Sequence, residues 1–228
     1  MSGASNRKRR EIARQEKSAP GLQRRSPVVI AIAGGSGSGK TWLAEQLRAA
    51  LGRIVLRISL DSFYRDRSRV PELSRSRINF DHPRAIDWAA VEQTLVTLSK
   101  WRRAQIPTYD FKTHSRLLKT HTAPPRPVIL LEGLWPLRRK SIRRLVSFGV
   151  FLHCPARVRL ERRLARDQVD RGRTGASVRQ QFRDTVEPMH RRFVESQAKV
   201  ADLVLRKACG AVEVTRLARE IRRLLDKC

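Results

Sequence analysis

The chain is short of acid, cysteine, aromatic residues and long apolar runs, and each shortage bounds what it can be. Against 49 Lys+Arg stand only 21 Asp+Glu, a formal net charge of +28. Such a surface attracts polyanions, nucleic acid or phosphorylated metabolites alike. Residues 1–26 hold 8 basic and 2 acidic residues, which leaves +22 spread over the rest instead of on one arm. Arginine outnumbers lysine 39 to 10, a skew that a GC-rich genome produces without selection. Incidental polyanion binding is therefore expected ahead of a dedicated nucleic-acid role. Three scattered cysteines, Cys154, Cys209 and Cys228, have no CxxC or metal-type spacing and suit a reducing compartment. No stretch approaches the roughly 20 apolar residues of a membrane helix. The basic N-terminus is not followed by a signal-type apolar region, so the expected location is the cytoplasm. Aromatics are 6% of the chain, yet hydrophobic residues reach 40%, enough for one sizeable core.

What is present is an alternation. Short apolar runs at Val28–Ala33, Ile54–Ser59, Val128–Glu132, Phe148–His153 and Asp202–Leu205 read as strands. The first and third barely alternate, as befits strands covered on both faces. Helical patterns lie between them at Lys40–Leu51, Ala85–Arg103, Pro155–Arg171, Ser177–Ser196 and Val212–Leu225. Asp87 is a candidate N-cap of the second, and Pro188 is expected to kink the fourth. The pieces Ile106–Tyr109 and Thr120–Thr122 are candidates for a small hairpin. The expected fold is α/β in three layers and, on the glycine-rich loop Gly34–Thr41 between the first strand and helix, that of a phosphate-loop NTPase. It has a mainly parallel five-stranded sheet, the hairpin insertion and a helical lid at about 157–185. Residues 1–26 are read as a basic flexible tail and 27–228 as one domain.

Gly34-Gly35-Ser36-Gly37-Ser38-Gly39-Lys40-Thr41 matches G-x-x-x-x-G-K-[ST] between a strand and a helix. Glycines let backbone N–H groups wrap phosphates, and the helix adds its positive end. Lys40 is placed for the β/γ oxygens and the Thr41 hydroxyl for Mg²⁺. No N-K-x-D occurs, and no D-x-x-G follows the Val128–Leu131 strand, which disfavours a GTPase. That strand instead ends in Glu132-Gly133. Alone, such a Glu is more often a cap, but beside a phosphate loop it is a candidate Mg²⁺ ligand. Asp61, in Ser59-Leu60-Asp61-Ser62-Phe63-Tyr64, leaves the carboxyl end of the second strand toward the same crevice. It is the candidate base for an acceptor hydroxyl and a further candidate metal ligand, although on local sequence alone a turn Asp is the commoner reading.

Several blocks occur together and in order: Gly34–Thr41, Ser59–Tyr64, Asn79-Phe80-Asp81-His82-Pro83 and Tyr109-Asp110-Phe111-Lys112-Thr113-His114-Ser115-Arg116. Arg166-Asp167, Asp170-Arg171-Gly172-Arg173 and Val186-Glu187-Pro188-Met189-His190 follow. In this the chain resembles the uridine kinases from roughly Val28 to Arg206. The resemblance implies ATP-dependent phosphorylation of the 5′-hydroxyl of uridine, and of cytidine, in pyrimidine salvage. It implies ATP and Mg²⁺ as cofactors, with GTP left open as a donor. It implies Asp61 as base, with Lys40 and Arg166 as catalytic partners. It implies Tyr64, Phe80, Asp81, Tyr109, Phe111 and His114 around the nucleoside. Arg163 and Arg171 match arginines on the ATP phosphates, Arg166 and Arg173 reach phosphate or ribose, and Gln181 matches a sugar contact. A homo-oligomer, tetrameric in the family, is implied as well.

Single pieces have plainer readings. Tyr109 and Phe111 alternate like core residues, and an arginine run is usually a solvated face. The chain also departs from the family at Trp42, at Leu134-Trp135-Pro136, at Val200, and in the arginines Arg65, Arg67, Arg69, Arg75 and Arg77. Two other readings compete: another phosphate-loop kinase, of phosphoribulokinase or nicotinamide riboside kinase type, and a basic nucleic-acid-binding ATPase.

Overall fold

In the computed structural model, the described residues are 25–71, 74, 78–111, 113, 115–206 and 209–227, with the side chains of 170 and 171 outside the description. Five strands form one parallel sheet: β1 (Val28–Gly34), β2 (Val55–Ser59), β5 (Val128–Gly133), β6 (Phe148–Leu152) and β7 (Leu203–Leu205). Their spatial order is β2-β5-β1-β6-β7. The central strands β1 and β5 are buried at every position, as their unbroken apolar runs require.

Because side chains alternate along β1, the strand feeds two cores. Val28, Ile30 and Ile32 face Leu43, Leu47, Leu217 and Ile221, from the phosphate-loop helix (Lys40–Leu51) and the C-terminal helix (Ala211–Lys227). Val29, Ala31 and Ala33 face Phe63, Trp88, Leu95 and Trp135 on the other side. The two layers have different tasks: the first carries the helix that starts at the phosphate loop, the second the elements that carry the acceptor side.

The antiparallel hairpin is present as β3 (Ala104–Asp110) and β4 (Ser115–Ala123), with Ile106 opposite His121 and Pro107 opposite Thr120. Its register slips between Pro107 and Tyr109, where proline has no N–H to give to the ladder. The helix expected over Ala85–Arg103 is shorter, Trp88–Ser99, because Pro83–Ala85 forms a separate 3₁₀ turn. Asp87 does cap it, its carboxylate accepting from the Ala90 N–H at 3.2 Å.

The helical stretch expected at Ser177–Ser196 begins at Gly175 and is not one regular α-helix. The turns on both sides of Pro188, Phe182–Val186 and His190–Val194, widen to π-helix, and the last, Glu195–Lys199, tightens to 3₁₀. Proline removes one N–H from the helical ladder, and the wide turns spread that disruption. Arg25, within the residues read as tail, is tied to the body: its carbonyl accepts from the Trp101 indole at 2.9 Å and its guanidinium donates to the Asp226 carbonyl at 3.2 Å. Residues 1–24 lie outside the described residues. No helix among the described residues is long and apolar enough to cross a membrane. Cys154 and Cys209 are free thiols.

Candidate active site

The phosphate loop connects β1 to its helix and is packed from behind by the lid helix (Ala156–Arg171). Two of its glycines have no substitute. Gly37 has φ +80°, and a Cβ there would lie 2.5 Å from the Arg159 carbonyl oxygen. A Cβ on Gly35 would lie 2.8 Å from His190 Nδ1 and 2.9 Å from the Arg159 side chain. The loop is thus moulded against Arg159 and His190. Arg159 is itself buried, donating to the Cys154 carbonyl at 3.0 Å and pairing with Glu187 at 2.5 Å. Burial, with Arg159 nearby, pushes the His190 imidazole down to about 4, so it is neutral at physiological pH.

Lys40 is buried and its ammonium donates to the Gly35 carbonyl at 2.9 Å. Burial lowers its pKa, while Glu132 and Asp61 work in the opposite direction. Sheet register explains why those carboxylates are near. Ser59 of β2 lies beside Glu132 of β5, and Glu132 beside Ile32 of β1. Asp61 follows two residues after Ser59, whose hydroxyl accepts from the Asp61 N–H at 3.3 Å. Gly133 permits this approach, since a Cβ there would be 2.6 Å from Leu60. Burial raises the Glu132 carboxyl, with Asp61 adding to the rise and Lys40 and Arg57 opposing it. Arg57 donates to Glu132 at 3.0 Å and also pairs with Glu45 at 2.9 Å.

Four aromatics meet on the acceptor side. Tyr64 lies 5.5 Å from Phe80, 5.2 Å from Tyr109 and 6.3 Å from Phe111, measured between ring centroids. Tyr109 and Phe111 are 5.3 Å apart, two positions along the chain and so on one face; Tyr109 is buried, and Phe111, just past the end of β3, is exposed at the rim. The Tyr64 hydroxyl donates to the Phe80 carbonyl at 3.1 Å, tying the Ser59–Tyr64 turn to the Asn79–Pro83 block. Asp81 sits beside it, its N–H held by the Asn79 side chain at 3.0 Å. His114 lies outside the described residues.

The lid arginines gather on Asp167, which is fully buried. Arg166 donates twice to its Oδ1, at 2.9 and 2.7 Å, and Arg163 lies 3.4 Å from its Oδ2. Arg163 also reaches the loop, donating to the Ser36 hydroxyl at 2.8 Å. Gln181, expected at the sugar, accepts from Arg163 at 2.7 Å and from Arg173. The side chain of Arg171 is outside the described residues.

Arg116 was missed as a site residue. Its guanidinium donates to the carbonyls of Tyr64 at 2.7 Å and Phe63 at 3.2 Å and pairs with Asp87 at 3.2 Å. It pins the hairpin to the turn that carries Asp61 and Tyr64. The signal was its place closing the Tyr109–Arg116 block. Arg159, also missed, precedes Glu187 by 28 residues, and it meets Glu187 and His190 only behind the loop.

Loop, carboxylates and lid on one crevice describe a kinase, and comparison with known proteins says which. The sequence pattern of the Phosphoribulokinase / Uridine kinase family matches residues 29–213. The chain belongs to that family. It is similar to a uridine kinase of Lactobacillus johnsonii, 37% identical over 186 residues that cover 81% of this chain and 88% of that protein. A uridine kinase of Geobacillus sp. is 37% identical over 205 residues, covering 89% and 97%. Phosphoribulokinase from Rhodobacter spheroides shares the fold at a TM-score of 0.59 and 14% identity, over 82% of this chain and 74% of its own. The chain is therefore a phosphate-loop kinase that uses a nucleoside triphosphate, and its relatives support a nucleoside as acceptor. The residues present fit the Mg²⁺ that this family uses: hard oxygen donors, the Thr41 hydroxyl with the Asp61 and Glu132 carboxylates, stand at the loop, and the raised Glu132 carboxyl gains from a nearby cation.

Proposed function

We propose that the protein transfers the γ-phosphoryl group of ATP to the 5′-hydroxyl of uridine, and of cytidine, as a step of pyrimidine salvage in the cytoplasm. The observation that carries this reading is the box of Tyr64, Phe80, Tyr109 and Phe111 on the acceptor side, next to the turn that bears Asp61. A nucleoside is neutral and offers faces to stack on, and rings at 5–6 Å spacings form its natural walls. Asp81, at the edge of that box, accepts from the ribose hydroxyls. His114 and Gln181 are read as base and sugar contacts, and Arg173 as a lid contact.

Asp61 orients the 5′-hydroxyl and takes its proton as the bond to phosphorus forms. Lys40 holds the β/γ oxygens, and Arg163 and Arg166 stabilise the charge spread over the transferred group, with Arg171 beside them on the ATP phosphates. Mg²⁺, held by Thr41, Glu132 and Asp61, supplies charge neutralisation on the phosphate oxygens when bound. Closure of the lid over the loop excludes water and so limits wasteful hydrolysis. ATP is read as the donor ahead of GTP, 27–228 as the catalytic domain, and a homo-oligomer, tetrameric as in the family, as the working form.

The test is ADP release from ATP with uridine, cytidine, ribulose 5-phosphate, nicotinamide riboside, RNA or no acceptor. Stimulation by uridine or cytidine, with the 5′-monophosphate identified, is the expected result. Stimulation by ribulose 5-phosphate alone, or by RNA alone, would overturn it.

A further inference from the structure

Away from the phosphate loop, a concavity of about 530 Å³ is bounded by Arg84, Arg138, Arg139 and Arg192, with Trp88 and Phe193 among its walls. The four arginines come from three separate stretches of chain. Arg84 follows the Asn79–Pro83 block, Arg138 and Arg139 follow β5, and Arg192 lies in the π turn after Pro188. Among the described residues, no carboxylate lines the concavity. None of the four arginines has a carboxylate partner among the described residues, unlike the lid arginines on Asp167.

Aromatic rings hold these guanidiniums in place. Arg138 and Arg192 stand over Phe193, at 4.7 and 5.1 Å from its centroid, and Arg139 over Trp88 at 5.2 Å. Trp88 is fixed in turn, its indole donating to the Pro83 carbonyl at 2.9 Å. His82 packs edge-on against Phe193 at 4.7 Å, and its Nδ1 accepts from the Arg84 N–H at 3.0 Å. The proton of the neutral imidazole is therefore on Nε2, a donor. Burial and the nearby Arg84, Arg192 and Arg138 push the His82 pKa down, as a convergence of positive charge requires.

A chain of net charge +28 has many exposed arginines, so exposure alone singles out none of them. Here four converge on a hollow, three of them over aromatic rings, and none pairs with an acid among the described residues. Guanidinium groups in that state favour phosphate oxygens, which they bind in pairs of parallel hydrogen bonds. We propose that this hollow is a second anion site that binds a small molecule carrying a di- or triphosphate group, separate from the phosphate loop. Its concave shape favours a small ligand over a nucleic-acid backbone, which needs an extended basic stripe.

Inorganic pyrophosphate is the probe, titrated calorimetrically into the full chain at 0.15 M salt with ADP at saturation in the phosphate loop. One further binding event is expected. The R138A/R192A variant should weaken it about tenfold or more, and R84A/R139A likewise, whereas R219A/R223A on the C-terminal helix should not. A nucleoside triphosphate in place of pyrophosphate separates the two sources of the group: tighter binding means that the base and sugar are recognised too. NMR supplies a readout free of substitution, since an anion in the hollow should raise the His82 pKa. Absence of a second event, equal weakening by R219A/R223A, an unmoved His82, or binding of RNA alone would each overturn the proposal.

Discussion

Two clusters of arginine lie on this molecule, and they are in opposite electrostatic states. The lid arginines Arg163, Arg166 and Arg173 share one fully buried carboxylate, Asp167, and one amide, Gln181. The outer arginines Arg84, Arg138, Arg139 and Arg192 have aromatic rings or open solvent beside them and, among the described residues, no acid partner. The first arrangement preorganises charge next to the phosphate loop while a buried anion keeps the cluster stable without ligand. The second leaves its positive charge uncompensated. In a chain with 21 acids for 49 bases, where the acids go is more informative than where the arginines go.

That contrast can be broken or sharpened by experiment. The largest effect should come from the carboxylate proposed as the base. Asp61→Asn should lower turnover about a hundred- to ten-thousand-fold while ATP binding, followed by calorimetry, stays near normal. Turnover close to that of the parent chain would remove Asp61 as base.

Next is the acid that holds the lid together. Asp167→Ala strands the buried Arg163 guanidinium and should cost about 3–5 kcal/mol in denaturant unfolding. A loss below about 1 kcal/mol would mean that the lid arginines do not depend on it.

A third effect is pH dependence at His190, behind the loop. Its folded pKa of about 4 lies below the ordinary value of 6.5, so between those pH values the unfolded chain binds a proton that the folded chain does not. Its contribution is complete above pH 6.5 and is lost as pH falls toward 4, about 3 kcal/mol in all. Comparison of unfolding curves for the parent and His190→Gln across that range should show a shallower slope in the variant.

The smallest effect belongs to the outer cluster. R84A/R139A should leave stability within about 0.5 kcal/mol, because no ion pair is broken. A large loss of melting temperature would show that these arginines are structural.

Much of this was legible before any coordinates. The phosphate loop, the five strands and the hairpin are local patterns: apolar runs, glycine spacing and turn residues report on their own neighbourhood. The Asp87 cap was readable for the same reason. The π turns on both sides of Pro188 were not legible, because how a helix accommodates the N–H that proline lacks is a choice that packing makes. Arg116 looked like one arginine among 39. Only the fold puts the Phe63 and Tyr64 carbonyls within its reach.

By itself the sequence determined the fold class, the nucleotide loop and the blocks that mark the family, since each is written within a few consecutive residues. Tertiary structure decided which charges meet. Register along β1, β2 and β5 brings Glu132 and Asp61 to Lys40, and the tertiary packing sets Arg159 and His190 against Gly35, and Arg159 against Gly37. It also decided which arginines find an acid and which do not. A charge interacts through space and not along the chain, and its neighbours are fixed only once the backbone has closed.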